Sequence, residues 1–271
     1  MRIDRIHGFL DNLRLYLMEG ENRGFFPNYI DNVSSGIILA NENSLIDSPS
    51  ISSSPPGRIA SESVKLELMS GNRDVLAVME KMEKRKDCSF FPGTFLRDFG
   101  GYYVPAMPVF LGGELVQIRI KQTSPIYVAD YQELAKIFLG DRFDPDEHYG
   151  QTFYEEPTKG LMKMVKSDRD SQIVTSPVEI GGLNILPVIC NEFNLISNRT
   201  PHSRLDGILH SSDSLYDSES HAIESAQVIL HQMKSSGKIQ TPFIYAISHI
   251  GEEANFSGKF LYDGKKLQKV D

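Results

Sequence analysis

Apolar residues along this chain fall into short runs and stripes whose spacing predicts alternating strands and helices. Ile6, Leu10, Leu13 and Leu17 recur at helical intervals and predict a helix over residues 5 to 19, with Phe9 and Leu15 blurring the stripe and Gly8 weakening it. The ENRGFFPN that follows reads as a turn or loop. SGIILA, residues 35 to 40, is a short buried strand that stops at Asn41, Glu42 and Asn43. The clearest amphipathic helix covers residues 74 to 86, where Val75, Leu76, Val78, Met79 and Met82 share a face, charge occupies the other, and Asp74 caps the start. Strand-like runs follow at 88 to 95, 102 to 111 and 114 to 121, and Gly112-Gly113 between the last two is a hairpin signal. Further on come the strands LNILPVIC (183 to 190), GILHSS (207 to 212) and TPFIYAIS (241 to 248), a helix at 220 to 235, and a closing hairpin around Asp263-Gly264.

Two stretches interrupt this order. Residues 48 to 63 are rich in Ser and Pro and read as a loop, and residues 140 to 172 are polar, aromatic and irregular, a long excursion from the core. Strands alternating with helices, without a repeat of fixed period, predict a layered α/β domain, and the hairpins make its sheets mixed.

The run LNILPVIC carries the most chemistry. Flanked by Gly181-Gly182, it predicts a strand buried on both faces that ends on Cys190, followed by Asn191 and Glu192. Side chains at the carboxyl ends of such strands face the crevice in which ligands bind, so the thiol is placed for reaction as well as for packing. Two other strand ends bear charges: Glu42 after SGIILAN and Lys121 after GELVQIRI. A base, a cation and a thiol form the set that amide or nitrile chemistry needs. Lys159 in EEPTKG is a rival cation, closer in sequence to the thiol. Cys88 reads as a packing residue, and His210 and His249, which follow apolar strands and could line the same pocket, read as packing histidines.

Charge and composition narrow the partners. At 271 residues and a net charge of −8, the chain lacks the clustered cations of a nucleic-acid or anionic-membrane surface. No run approaches the roughly 18 apolar residues of a membrane span, and charges break the N-terminus where a signal peptide needs its apolar region. The expectation is a cytoplasmic protein with both cysteines reduced, no nucleic-acid or membrane partner, no metal and no cofactor, since neither metal-ligand spacing nor a glycine-rich phosphate loop occurs.

The motifs, taken in order, resemble the nitrilase, or carbon-nitrogen hydrolase, superfamily. GIILANENSL is similar to its strand-plus-Glu segment, GGELVQIRIK to its strand ending in Arg-x-Lys, and GGLNILPVICNEF to its Cys-x-Glu nucleophile strand. DGILHSSDS resembles the strand after the nucleophile, and TPFIYAISHIGEEANFSGKFLYDGKKL the closing strand, glycine turn and final hairpin. The resemblance implies an αββα sandwich, one domain over residues 1 to 271, in which Cys190 attacks the substrate carbon. It implies Glu42 as general base, Lys121 as stabiliser of the oxyanion with a backbone N–H of Asn191, and Glu192 as a buttress of the nucleophile turn. A second glutamate between Lys121 and Cys190 stands open among Glu133, Glu147, Glu155 and Glu156. The implied activity is an amidase-like hydrolase acting on a small-molecule amide or nitrile, assembled as a homodimer.

The chain also departs from the family pattern. Residues 1 to 30 hold no counterpart of the family's opening strand and form an atypical N-terminal segment. Asn41 precedes Glu42 where proline is usual, and the long separation of Lys121 from Cys190 implies an insertion near 130 to 172. These departures support an alternative, a catalytically silent nitrilase-fold protein that binds or scaffolds.

Overall fold

The computed structural model describes residues 2–17, 26–33, 35–41, 73–98, 103–120, 177–190, 192–199, 204–213, 215–251 and 253–270. Its helices are α1 (Arg2–Asn12), α2 (Phe26–Asn32), α3 (Arg73–Lys84), α4 (Glu192–Arg199) and α5 (Glu219–Ser235). Its strands are β1 (Leu13–Tyr16), β2 (Gly36–Ala40), β3 (Cys88–Phe91), β4 (Phe95–Asp98), β5 (Tyr103–Leu111) and β6 (Glu114–Ile120), then β7 (Val178–Ile180), β8 (Leu183–Ile189), β9 (Leu205–Asp213), β10 (Ile239–Ile250), β11 (Phe256–Tyr262) and β12 (Leu267–Val270).

These strands build two mixed sheets of six. In the first, β1, β2 and β3 run parallel, β5 pairs antiparallel with β3, and β6 returns along β5. β3 and β4 lie along the same edge of β5, so the predicted run 88 to 95 is two strands. Pro92 offers no ladder donor and Gly93 takes φ +81, which breaks the pairing between them. In the second sheet, β8, β9 and β10 run parallel, with β7 antiparallel at one edge and β11 and β12 at the other.

The two sheets face each other across one apolar layer. Ile37, Leu39, Phe91, Met107 and Val109 from the first sheet meet Leu183, Ile185, Ile189, Leu209, Ile244 and Ala246 from the second. The period-2 alternation of strands puts the intervening residues on the outer faces. On the second sheet, outer-facing Val188, Ile208, Phe243, Tyr245 and Ile247 pack against Ala226, Ile229, Leu230 and Met233 of α5 and Phe193 of α4. On the first sheet, Ile38, Phe90 and Phe110 are fully buried on the outer side, where α2 and α3 contribute the buried Ile30, Met79 and Met82. The result is four layers, α, β, β, α.

The predicted helix over 5 to 19 ends at Asn12, and Leu13–Tyr16 is the strand β1, parallel to β2. This strand follows the first helix and does not precede it. Leu13 and Leu15 sit two apart, a strand period inside a helical stripe, and the pairing partner decides between the two readings. α1 closes one end of the sandwich: Arg2 pairs with Asp206 at 2.9 Å and donates to the carbonyls of Thr241 and Pro242, all near the starts of β9 and β10. The parallel strands stop at the opposite end. Among the described residues no helix is long and apolar enough to cross a membrane.

Candidate active site

β8 runs into α4 through a single tight turn, and Cys190 stands at its corner with φ +45. A non-glycine residue in the left-handed region is costly by about 1–3 kcal/mol and persists only where its surroundings fix it. Here three neighbouring backbone groups are held. The Cys190 N–H donates to the Ser211 carbonyl at 2.7 Å, adding a last rung to the β8–β9 ladder, and the Cys190 carbonyl accepts from Phe193 N–H at 3.1 Å. The Ile189 N–H donates to a carboxylate oxygen of Glu192 at 3.1 Å. Cys190 is buried in the layer between the sheets, and it is a free thiol, as is Cys88.

Glu192 does more than cap the turn. The same oxygen accepts from Arg119 Nε at 3.3 Å and Nη2 at 3.2 Å, a buried ion pair with both side chains at most 7% exposed. Arg119 lies next to the end of β6, so this pair ties that strand end to the thiol turn. Its Nη1 is also buried and has no hydrogen-bond partner among the described residues. Sequence reasoning passed over Arg119, although it is the Arg of the Arg-x-Lys motif.

A second tie crosses between the sheets. Ser211 Oγ donates to the Ala40 carbonyl at 2.8 Å, and Ser248 Oγ donates to the Tyr16 carbonyl at 2.7 Å. Ser211 and Ser248 are register partners on β9 and β10, and Ala40 and Tyr16 are register partners on β2 and β1. The carboxyl ends of four parallel strands are thus fastened together. The polar run after Ile208 and Leu209 was the signal for this, since serines at inward positions of a buried strand must find acceptors.

His210 and His249 face the other way. Both are fully buried on the helix side of the second sheet rather than toward the thiol's layer. His210 Nε2 lies 3.0 Å from the Cys190 carbonyl and Nδ1 3.0 Å from the Tyr245 hydroxyl. His249 Nε2 lies 2.9 Å from the Tyr216 carbonyl and Nδ1 3.1 Å from Ser212 Oγ. A carbonyl only accepts, so Nε2 carries the proton in both rings, and in the neutral ring Nδ1 accepts from a hydroxyl. Both histidines use both nitrogens, as packing histidines do. Burial pushes the Tyr245 phenol well above its ordinary pKa, which keeps it a donor.

The predicted partners of the thiol are Glu42, Lys121 and Asn191. Glu42 follows the described Asn41, Lys121 follows the described Ile120, and Asn191 sits between Cys190 and Glu192; all three lie outside the described residues. So do Lys159, the alternatives Glu133, Glu147, Glu155 and Glu156, the loop at 48 to 63 and the insertion at 130 to 172. Among the described residues no group of three or more His, Cys, Asp or Glu side chains could hold a metal ion.

No protein-family model and no curated protein sequence matches the chain. Among solved structures, a glutamine-dependent NAD+ synthetase from Acinetobacter baumannii, in complex with ADP, is 12% identical with a TM-score of 0.50 over 92% of this chain and 40% of that one. A carbon-nitrogen hydrolase from Helicobacter pylori G27 is 10% identical, with a TM-score of 0.48 over 96% of this chain and 84% of that one. Saccharomyces cerevisiae Nit3, a member of branch 10 of the nitrilase superfamily, is 7% identical, with a TM-score of 0.45 over 92% and 78%. The chain spans about two fifths of the synthetase's length. At these identities the likeness is one of fold, and the described residues form an αββα sandwich of two mixed sheets.

Proposed function

We propose that this chain is a thiol-dependent carbon-nitrogen hydrolase with Cys190 as its nucleophile. The observation that carries the reading is Cys190 itself, a buried thiol on a left-handed corner between strand and helix, at the sandwich end where β2 and β6 also stop. A strained corner held by backbone hydrogen bonds at Ile189 and Cys190 suits a nucleophile that must present its sulfur in one direction.

In this reading Glu42 removes the proton from Cys190 as the sulfur attacks the carbon of an amide or nitrile. For an amide, Lys121 and the N–H of Asn191 stabilise the tetrahedral oxyanion; the carbon–nitrogen bond breaks, and Glu42 returns the proton to the leaving nitrogen as ammonia or an amine. Water, deprotonated by Glu42, then attacks the thioester and frees the thiol as the acid departs. Glu192 holds the turn. One of Glu133, Glu147, Glu155 or Glu156 serves as a second carboxylate beside Lys121. With the reading go a single domain, a small-molecule substrate, amidase in preference to nitrilase activity, a homodimer, a cytoplasmic setting, and a loop at 48 to 63 and an excursion at 140 to 160 that select the substrate.

The test is ammonia release from a panel of amides, nitriles and N-carbamoyl compounds, measured for the native chain and for Cys190→Ala. The reading expects release by the native chain and none above background by the variant. Equal background in both would assign the chain to the silent, scaffolding alternative.

A further inference from the structure

Arg119 turns its side chain inward. It is the register partner of Met107 on β5, and directly opposed residues of an antiparallel pair share a face, here the one that lines the layer between the sheets. Because β6 is antiparallel to β5 and β5 to β3, β6 runs in the same direction as β2 and β3, so its carboxyl end lies at the end of the sandwich where β2 stops. Cys190 lines the same layer, and Glu192 links the two residues. The Glu192 oxygen that receives Arg119 also receives the N–H of Ile189, the residue before the thiol.

A guanidinium is planar, with its three nitrogens at the corners of a triangle. Nε and Nη2 of Arg119 both donate to one oxygen of Glu192, so that oxygen faces the edge they form and Nη1 points the opposite way, away from Glu192. Nη1 is buried and has no hydrogen-bond partner among the described residues. Burying a charged donor without an acceptor costs more than an ordinary hydrogen bond gains, so an acceptor oxygen at Nη1 would be strongly favoured. The charge of Arg119 is already balanced by Glu192. A second carboxylate would bring an uncompensated charge into a buried place, whereas a carbonyl oxygen brings only its lone pairs.

We propose that Arg119 is a specificity determinant: its Nη1 receives an uncharged carbonyl oxygen on the acyl side of the substrate, so that the chain acts on amides bearing a second carbonyl group. The inference deepens the reading of Cys190 as nucleophile and rests on it, since it takes the thiol's end of the sandwich as the substrate site. Arg119 then serves two purposes with two edges of one plane, one holding the thiol turn through Glu192 and the other reading the substrate.

Binding tests this without turnover. Calorimetry on Cys190→Ala compares pentanamide with its three isomeric oxo derivatives, which carry the keto group on the second, third or fourth carbon, and with the anionic succinamate. We expect at least one oxo compound to bind roughly tenfold or more tighter than pentanamide, the scale of a hydrogen bond from a charged donor, and tighter than succinamate. Adding Arg119→Met/Glu192→Gln, which removes both charges together, should bring the oxo compound to within about twofold of pentanamide. Arg119→Lys, which keeps a charge beside Glu192 but lacks the planar edge, should do the same and provides the test should the paired change fail to fold. The readout is the preference and not the overall affinity, because a merely structural part for Arg119 would weaken all the compounds alike. No preference for any oxo compound, a preference that survives either change at Arg119, or tighter binding of succinamate would each overturn the proposal. Undiminished ammonia release by Cys190→Ala would instead overturn the reading on which it rests.

Discussion

The hydroxyl of Ser211 donates to the carbonyl of Ala40 across the gap between the two sheets, while the Ser211 carbonyl accepts the N–H of Cys190. One residue thereby holds the strand that leads to Glu42 and the corner that carries the thiol. Ser211→Ala leaves a buried carbonyl without this donor, and we expect a loss of about 1–2 kcal/mol. In thermal melts that is roughly 2–4 °C for each kcal/mol in a chain of this size. The parallel change Ser248→Ala, which frees β1 rather than β2, should cost similar stability with a smaller effect on ammonia release. Equal loss of activity in the two variants would argue against a special part for the Ala40 tie.

The Arg119–Glu192 pair should behave as a buried ion pair whose value lies in geometry. Removing one partner, as in Arg119→Met, strands a buried charge and should cost about 3–5 kcal/mol. In Arg119→Met/Glu192→Gln neither charge remains and the amide oxygen can still accept from Ile189 N–H, so most of that stability should return. Urea unfolding of the two single variants and the double variant closes the cycle. A double variant as unstable as the sum of the single changes would mean the two side chains act independently.

Only one of the two thiols should be reactive. Burial pushes the Cys88 thiol above its ordinary pKa, and the nearby Arg85 guanidinium, 3.4 Å away, offsets this only in part. Cys190 is the thiol that the proposed Lys121 and Glu42 would activate. Iodoacetamide at neutral pH, followed by peptide mass mapping, should label Cys190 at least roughly tenfold faster than Cys88. Faster labelling of Cys88 would count against the assignment.

The final hairpin gives a pH signature. Asp263 accepts from the backbone N–H of Lys266 at 3.0 Å and Lys265 at 2.8 Å, and its pKa is lowered, chiefly by the Lys266 bond. A carboxyl whose folded pKa is depressed adds stability above the unfolded value of about 3.9, and that contribution is lost as pH falls through the folded value. Asp263→Asn cannot show this loss. Thermal melts from about pH 5 downward should therefore fall less steeply for the variant than for the native chain; identical acid limbs would contradict the argument.

Much of this architecture was legible in the hydrophobic pattern. SGIILA, GELVQIRI, LNILPVIC and TPFIYAIS lie in strands because runs of apolar residues between turn signals leave no other way to bury both faces, and the stripe read over 74 to 86 is the helix Arg73–Lys84 because it has the matching period. The same patterns hid β1, where a strand period sits inside a helical one, and the helix at Phe26–Asn32, where Pro27 and Asn28 suggest a turn. They also hid the partition of roles at the site. Cys190 and Glu192 could be read from their place after a buried strand. The left-handed corner, the reach of Arg119 from another sheet and the pairing of Ser211 with Ala40 depend on how the two sheets register across the core. That register is set by packing between segments far apart in the chain, which no local pattern encodes.

Intact-mass spectrometry of the native chain, quenched in acid during turnover of an amide that it cleaves, tests the central claim most directly. The account predicts a mass increase equal to the acyl group, mapped to the peptide containing Cys190 and absent from Cys190→Ala, which should also release no ammonia. Turnover without any adduct on that peptide, together with full ammonia release by Cys190→Ala, would contradict it.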